Sequence, residues 1–214
     1  MRVATLYIGV LLESGLKDVW LTVLSSMLAL ILGSLGAIGR LYGGKIIGGI
    51  IYWYVELIRG LPPILQLFLI FFGLSQFGID MSPLSAAIIW LVAYGTGYTV
   101  EVFRAGMMDV SEGQYEAATA LGLDASTTLR KIILPQAFAA MLPNLTTIIV
   151  LQLKNTTLLY LIGYADMMYQ ARLGADATSQ PGPLYIIVAL EYLILSAGIS
   201  RIGNSMEKRA AAYR

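Results

Sequence analysis

Long apolar stretches follow one another along the chain, and each is bounded by charged residues, proline or glycine. A helix needs roughly 20 mostly apolar residues to cross a hydrocarbon layer about 30 Å thick, because an unpaired backbone group in lipid is too costly for looser structure. Five stretches meet this requirement. We therefore predict an all-α integral membrane protein of one domain, residues 1–214, with spans at about 19–39, 61–77, 84–103, 141–162 and 184–200.

The segment 44–60 has a helical pattern but carries Lys45, Glu56 and Arg59. A sixth span would bury these charges, so we predict an interfacial helix with Trp53 and its flanking tyrosines at the level of the lipid headgroups. The alternative is one long helix that continues into the second span.

Residues 1–12 contain one arginine followed by apolar residues, which faintly resembles a signal peptide. They lack a small-residue cleavage site and are soon followed by Glu13, Lys17 and Asp18. We therefore expect this segment to be retained as a short helix.

The composition agrees with a membrane protein: 57% of the 214 residues are hydrophobic and 13% are charged, against about 25% charged in an average soluble domain. Cysteine and histidine are both absent, which excludes thiolate zinc sites, a catalytic thiol and chemistry based on imidazole. We expect no catalytic residues and no metal site. The basic residues are scattered and the net charge is +1, so we expect no nucleic-acid partner.

Basic residues in short loops remain on the cytoplasmic side of a membrane. With five spans and an external N-terminus, ten basic residues fall inside and three outside, and Lys154 lies within a span. This asymmetry predicts an external N-terminus and a cytoplasmic C-terminus, and it places the long loop at about 105–140 in the cytoplasm.

This cytoplasmic loop contains the signals for two short helices. Ser111 with Gln114 fits a capping box, and Gly122 can take the left-handed conformation that ends a helix. Asp124 or Ser126 can cap a second helix, which Pro135 would kink or stop. The pattern predicts either an amphipathic loop on the membrane surface or a rigid elbow that docks a partner.

The spacing Glu-Ala-Ala, three residues, Gly, nine residues, Ile-x-Leu-Pro occurs in this loop without a gap, from Glu116 to Pro135. It resembles the EAA loop of type I ATP-binding-cassette (ABC) importer permeases. Gly113-Gln114 and Pro135-Gln136-Ala137 are similar to the polar amino-acid branch of that family, and so are Tyr54 to Pro62, Glu101 to Arg104 and Leu153 to Leu158. The resemblance covers nearly the whole chain after about Leu16. The family usually shows Lys-Asp-Thr/Ser-Ser-Leu where this chain has Lys154-Asn155-Thr156-Thr157-Leu158, and Glu191 matches no family position, which leaves the substrate open.

The resemblance implies a permease subunit of an ATP-driven importer in the bacterial plasma (inner) membrane. Its partners would be two cytoplasmic ABC ATPases, a second permease subunit, identical or related, and a periplasmic or lipid-anchored amino-acid-binding protein, with lipid around it. The chain would bind no cofactor, because ATP and Mg²⁺ belong to the ATPase; it has no Gly-x-x-x-x-Gly-Lys-Ser/Thr loop of its own. The residues that would couple to the ATPase are Glu116, Ala117, Ala118, Leu121, Gly122 and Pro135.

Ionisable residues at membrane depth usually face a partner or a wet pathway. One interpretation pairs Lys154 with Glu191 and lets Thr156 and Thr157 bond back to their own helix. The other places Gln152, Lys154, Asn155, Thr156 and Glu191 along the substrate pathway, with a local opening of the helix or a facing cavity around this polar run.

Two other functions are compatible with a polytopic membrane protein. A secondary transporter or channel driven by an ion gradient is the main alternative, although the chain shows no internal repeat. A membrane-embedded enzyme is disfavoured by the absence of His, Cys and any pair of intramembrane Asp residues.

Overall fold

The computed structural model describes residues 2–211, and every regular element in that part of the chain is helical, which confirms the predicted all-α class. The elements, in chain order, are α1 Arg2–Tyr42, α2 Gly44–Gly60, α3 Pro63–Phe68 with a π turn Leu69–Gly73, α4 Pro83–Met108, α5 Glu112–Ala120, α6 Ala125–Thr128 with a π turn Leu129–Ile133, α7 Leu134–Asn155 with a 3-10 segment Thr156–Ile162, α8 Met167–Thr178 and α9 Pro181–Ala210.

Four helical stretches of the described chain are long and apolar enough to cross a membrane. They are Leu6–Tyr42, Pro83–Met108, Ala125–Ile162 and Pro181–Ala210. Gly44–Gly60 and Pro63–Gly73 meet the same criteria only as a pair, and they are bent by 112° where they join. The alternative of one long helix through this region is therefore wrong, because Pro62 and Pro63 interrupt the backbone hydrogen bonds between the two segments.

Helix α2 lies across the bundle. It begins against the end of α1, where Arg40 donates to the carbonyl of Gly48 at 3.4 Å. It ends against the middle of α4, where Tyr54 donates to the carbonyl of Ala93 at 2.6 Å and Ile58 covers Gly97. That α2 lies at the membrane interface stays a prediction.

The N-terminal residues are part of the first long helix, because α1 is unbroken from Arg2 to Tyr42. A separate short helix over residues 1–12 is therefore wrong for the described residues 2–12; Met1 lies outside them. No proline or glycine pair interrupts the sequence there, and Leu11 packs with α8 and α9 in one core cluster. Helix α8, which lies between two predicted spans, completes this cluster with Met167 and Ala171.

Small residues let α1 and α4 pack closely. A methyl group added at Gly33 would come within 2.5 Å of Thr99, and one at Gly36 within 2.6 Å of Val100. The two backbones can approach each other because these positions carry no side chain.

The prediction that Pro135 stops its helix is wrong, since the chain is continuously helical from Ala125 to Ile162. In the π turn before it, the amide of Leu134 donates to the carbonyl of Leu129, five residues back. The wider turn accommodates the proline ring and its missing donor. Pro135 thus lies in the first turn of α7, where it is well tolerated.

Candidate functional site

The elbow between α4 and α7 consists of α5, the turn at Gly122 and α6. Gly122 has φ +71°, a left-handed conformation that glycine adopts without steric cost. Glu116, Ala117 and Leu121 are exposed on this elbow, and Leu121 is 78% exposed. Ala118 points inward and is 1% exposed, so only Ala117 of the alanine pair can meet a partner directly.

The caps of the two elbow helices differ. Asp124 caps α6: its carboxylate accepts from the amide of Thr127 at 3.0 Å and from the Thr127 hydroxyl at 2.6 Å. These bonds to Thr127 hold the pKa of the Asp124 carboxyl below its usual value. Ser111 is the N-cap residue of α5 but makes no side-chain capping bond. The capping role assigned to Asp124 is therefore confirmed, whereas the bond from the Ser111 side chain is not formed.

The polar run near the end of α7 divides into residues that face inward and residues that face outward. Gln152 is fully buried, and its amide donates to the carbonyl of Leu91 on α4 at 2.9 Å. A methyl group at Gly95 would collide with this amide and approach Ala29 to 2.8 Å. Gln152 therefore fastens α7 to α4.

Lys154 lies on the side of α7 opposite Gln152, and Asn155 lies between the two. The Lys154 side chain is exposed, and it forms no ion pair within residues 2–211. Asn155 is half-buried beside Tyr94, whose ring packs against that of Tyr98 at a tilt of 39°, with centroids 4.8 Å apart. Since Gln152 meets Gly95 in the middle of α4, Lys154 lies near the middle of the bundle.

The helix does not open around this run. Regular α-helix ends at Asn155, and the chain tightens into the 3-10 segment that begins at Thr156. The hydroxyls of Thr156 and Thr157 each bond at 2.7 Å to the backbone carbonyl three residues back, as one interpretation predicted. Thr156 is also fully buried.

The Lys154–Glu191 ion pair is not formed in the described chain. Glu191 instead lines a cavity of about 160 Å³ between α1 and α9, with apolar neighbours that include Leu12, Leu16 and Ile194. Neither of its carboxylate oxygens has a hydrogen-bond partner there. Glu191 therefore faces the cavity beside α1, whereas Lys154 is exposed on α7.

The sequence analysis missed a group of buried polar side chains centred on Asp18. Asp18 on α1 accepts from the amide of Met167 at 3.2 Å and contacts the Tyr192 hydroxyl at 3.1 Å. Tyr192 in turn lies 2.9 Å from the Thr156 hydroxyl. Asp18 directly precedes the predicted first span, and only the extension of α1 to Arg2 places it inside a helix.

Asp166 lies next to this group and caps α8 by accepting from the amide of Tyr169 at 2.6 Å. Burial raises the pKa of its carboxyl to about 8, and the nearby Asp18 carboxyl adds to that effect. No group of three or more Asp, Glu, His or Cys side chains in the described part of the chain is arranged to hold a metal ion.

Comparison with known proteins matches residues 25–211 to the family described as binding-protein-dependent transport system inner membrane component. The probable glutamine ABC transporter permease protein GlnM of Bacillus subtilis is 36% identical over 88% of this chain and 89% of its own length. The histidine/lysine/arginine/ornithine transport system permease protein HisQ of Escherichia coli is 32% identical over 94% of this chain and 93% of its own.

Solved structures give the same result. The fold matches a chain of a structure described as an amino acid ABC transporter with histidines, with a TM-score of 0.90, 31% identity and 96% coverage of both chains. A chain of the MetNI methionine ABC transporter in an inward-facing conformation matches with a TM-score of 0.72 at 18% identity, which supports the fold alone.

The matched region contains the elbow, the polar run of α7 and nearly all of the helical bundle. These similarities favour ATP-driven import over the alternative of an ion-gradient-driven transporter. The chain belongs to the binding-protein-dependent transport system inner membrane component family, the membrane-spanning permease subunits of ABC importers.

Proposed function

We propose that this permease subunit imports a polar amino acid and is driven by cytoplasmic ABC ATPases that dock on the elbow. Its named relatives carry glutamine in one case and histidine, lysine, arginine or ornithine in another, so the proposal is limited to the class of polar amino acids.

The observation that carries the proposal is the shape of the elbow. Two short helices meet at Gly122, and the elbow that they form exposes both a leucine, Leu121, and the carboxylate of Glu116. An apolar side chain at the tip of a turn, with a charge elsewhere on the same elbow, is suited to a partner with an apolar groove and a basic rim. We assign Glu116, Ala117, Leu121 and Gly122 to this contact, while Ala118 and Pro135 support it from within the subunit.

The assembly would contain two permease subunits, two ATPases and an external amino-acid-binding protein. ATP and Mg²⁺ would be bound by the ATPases, and the permease itself would hold no cofactor and catalyse no reaction. In alternating access, closure of the ATPase pair would move the elbows and turn a central cavity from the outside to the inside.

The proposed orientation has the N-terminus outside and the C-terminus in the cytoplasm of a bacterial inner membrane. The position of the basic residues supports it. Arg209 near the end of α9 lines one groove with Pro135 at the base of the elbow, and Arg40 packs against α2 at the same end of the bundle as Arg104. These charges lie together at the end that carries the elbow, as expected for the cytoplasmic side.

We place the translocation pathway along the surface of α7 that carries Lys154 and Asn155. An exposed ammonium near the middle of an apolar bundle is costly in lipid, so it faces water or a second subunit. Lys154 would meet the carboxylate of the substrate and Asn155 a polar group. Gln152 and Thr156 are buried in contacts with other helices, and Glu191 faces the cavity beside α1; we therefore leave these three outside the pathway.

The test is a charge reversal at the elbow. Glu116→Lys is expected to lower co-purification of the ATPase at least roughly tenfold, because a like charge would face the basic rim of the groove. Gly122→Trp should act in the same way by changing the shape of the turn. ATP-dependent uptake in proteoliposomes should fall with both.

Asp80→Lys is the matched control, since Asp80 is also exposed but lies in the loop before α4, at the opposite end of that helix from the elbow. It should retain the ATPase. Normal ATPase binding by both elbow variants would refute the docking, and uptake that survives ATP depletion but collapses with an ionophore would refute ATP-driven transport.

A further inference from the structure

We propose that Asp18 is a positioning residue that carries a proton and, through Tyr192 and Thr156, fixes the end of α7 on which Lys154 and Asn155 lie. The hydrogen bonds are independent of the proposed function, but their consequence for transport rests on it.

Asp18 connects four parts of the chain that are distant in sequence. Its carboxyl group on α1 meets the first residue of α8, Met167, and the hydroxyl of Tyr192 on α9. Through Tyr192 it reaches Thr156, where α7 changes into the 3-10 segment. Asp18 and Thr156 are both completely buried.

A count of hydrogens shows which form of Asp18 fits this chain of contacts. The contacts are Asp18 to Tyr192 at 3.1 Å, Tyr192 to Thr156 at 2.9 Å, and Thr156 to the carbonyl of Leu153 at 2.7 Å. A hydroxyl has one hydrogen to donate, so Tyr192 and Thr156 supply two hydrogens for three contacts. An ionised Asp18 leaves one contact without a hydrogen.

A neutral carboxylic acid completes the series. The acid donates to Tyr192, Tyr192 donates to Thr156, and Thr156 donates to the carbonyl of Leu153. The oxygen of Asp18 that carries the hydrogen can still accept from the Met167 amide, because a protonated carboxyl group keeps acceptor capacity.

The surroundings of Asp18 also favour the neutral form. The titratable groups that act on it are the carboxyls of Asp166 and Glu191 and the phenols of Tyr164 and Tyr192. No Lys or Arg side chain forms an ion pair with it in residues 2–211. A buried charge without a partner is strongly unfavourable, and here the nearest carboxyls would repel it.

The position of Thr156 gives this series of hydrogen bonds its proposed role. Thr156 follows Lys154 and Asn155 directly, and it is the residue at which regular α-helix gives way to the 3-10 segment. Loss of the Tyr192 contact would let this helix end move, and the side chains of Lys154 and Asn155 would move with it.

The absence of cysteine from the chain allows a direct measurement. A spin label on Lys154→Cys reports mobility at the end of α7, and one on Thr147→Cys, about two turns earlier, serves as the control position on the same exposed face. Both are recorded in the full complex with ATPase and binding protein. Tyr192→Phe, which removes one hydroxyl, is expected to raise the mobile fraction at 154 severalfold, the scale of one buried hydrogen bond, and to leave 147 unchanged.

Tyr185→Phe is the matched substitution, since Tyr185 lies on α9 but is exposed. It should leave the mobility of both labels unchanged. Thr156→Val removes the other hydroxyl of the contact, so it should change the mobility at 154 in the same way as Tyr192→Phe. An unchanged signal at 154 in both Tyr192→Phe and Thr156→Val would overturn the positioning role.

The protonated form is tested with Asp18→Asn and Asp18→Ala. The neutral amide of Asn can still donate to Tyr192, so the label at 154 should remain close to the parent signal, whereas Ala should mobilise it. Equal mobilisation by Asn and Ala would overturn the protonated form. These measurements need no transport, so a label that responds as expected in a complex without ATP-driven uptake would refute the proposed function and leave this inference standing.

Discussion

The elbow and the polar centre of the bundle are both built from polar residues, but their geometry has different origins. In the elbow, Gly122 and Asp124 act on residues within three positions of themselves. In the centre, Asp18 meets Met167 and Tyr192, which lie 149 and 174 positions away. A local signal can be recognised in a sequence, whereas a long-range contact depends on how the helices pack.

The two regions also differ in whether a partner can reach them. The elbow is an exposed surface, whereas the polar side chains of the centre are already bonded within the subunit. Leu121 and Glu116 point away from the subunit, and a partner can reach them. Gln152 and Thr156 are fully buried in bonds to their own subunit. Substitutions at the centre should therefore change stability, and substitutions at the elbow should change association.

Gly95→Leu should have the largest effect on the centre. Its side chain would occupy the space of the Gln152 amide and of Ala29, so α4 and α7 could not keep their present distance. We expect a loss of about 3 kcal/mol in the free energy of unfolding, the upper end for overpacking. Denaturation of the purified subunit in mixed micelles measures it.

Gly198→Leu is the control, because a side chain at Gly198 on α9 meets open space. It should change the free energy of unfolding by less than about 0.5 kcal/mol. Equal losses from both variants would show that the α4–α7 contact is not tight.

Gly122→Ala tests the elbow. A residue with a β-carbon at φ +71° costs roughly 1–2 kcal/mol, and this cost should appear as faster amide hydrogen exchange in α5 and α6 only. Exchange in α4 and α9 should remain as in the parent protein. A loss of protection throughout the bundle would contradict the local origin of the elbow.

Gln152→Leu distinguishes packing from substrate contact. It removes the bond to the Leu91 carbonyl, so the free energy of unfolding should fall by about 1 kcal/mol. The relative uptake of different amino acids should stay unchanged, whereas Lys154→Gln should alter it. A change of substrate preference in Gln152→Leu would return Gln152 to the pathway.

Asp124→Ala should have the smallest effect. Loss of the cap raises exchange at the amide of Thr127 a few-fold, while Ser111→Ala has little effect because Ser111 makes no side-chain cap. Because the pKa of Asp124 is lowered in the folded elbow, its contribution is present above the ordinary carboxyl pKa and is lost as the pH falls through the lowered value. At acidic pH, the amide exchange rate of Thr127 in the parent protein should approach the rate in Asp124→Ala, once both are corrected for the intrinsic pH dependence of exchange.

The sequence predicted the helical class and the two-helix elbow because apolar length, glycine and capping residues act on neighbouring backbone. It predicted the polar run of α7 as one unit, but the structure divides that run between two sides of the helix. A period of 3.6 residues separates Gln152 and Thr156 from Lys154, yet the sequence does not say which side faces α4. The predicted Lys154–Glu191 ion pair is not formed, and the sequence could not exclude it because it does not say which way each side chain faces.

By itself, the sequence determined which segments are helical and apolar, where the elbow turns, and which end of the bundle carries most of the positive charge. These properties follow from local backbone preferences and from the cost of placing charge or unpaired backbone groups in lipid. Only the tertiary structure decided that Asp18, Tyr192 and Thr156 meet, that Gln152 is buried and that Lys154 is exposed, because helix packing selects which face of each helix is covered.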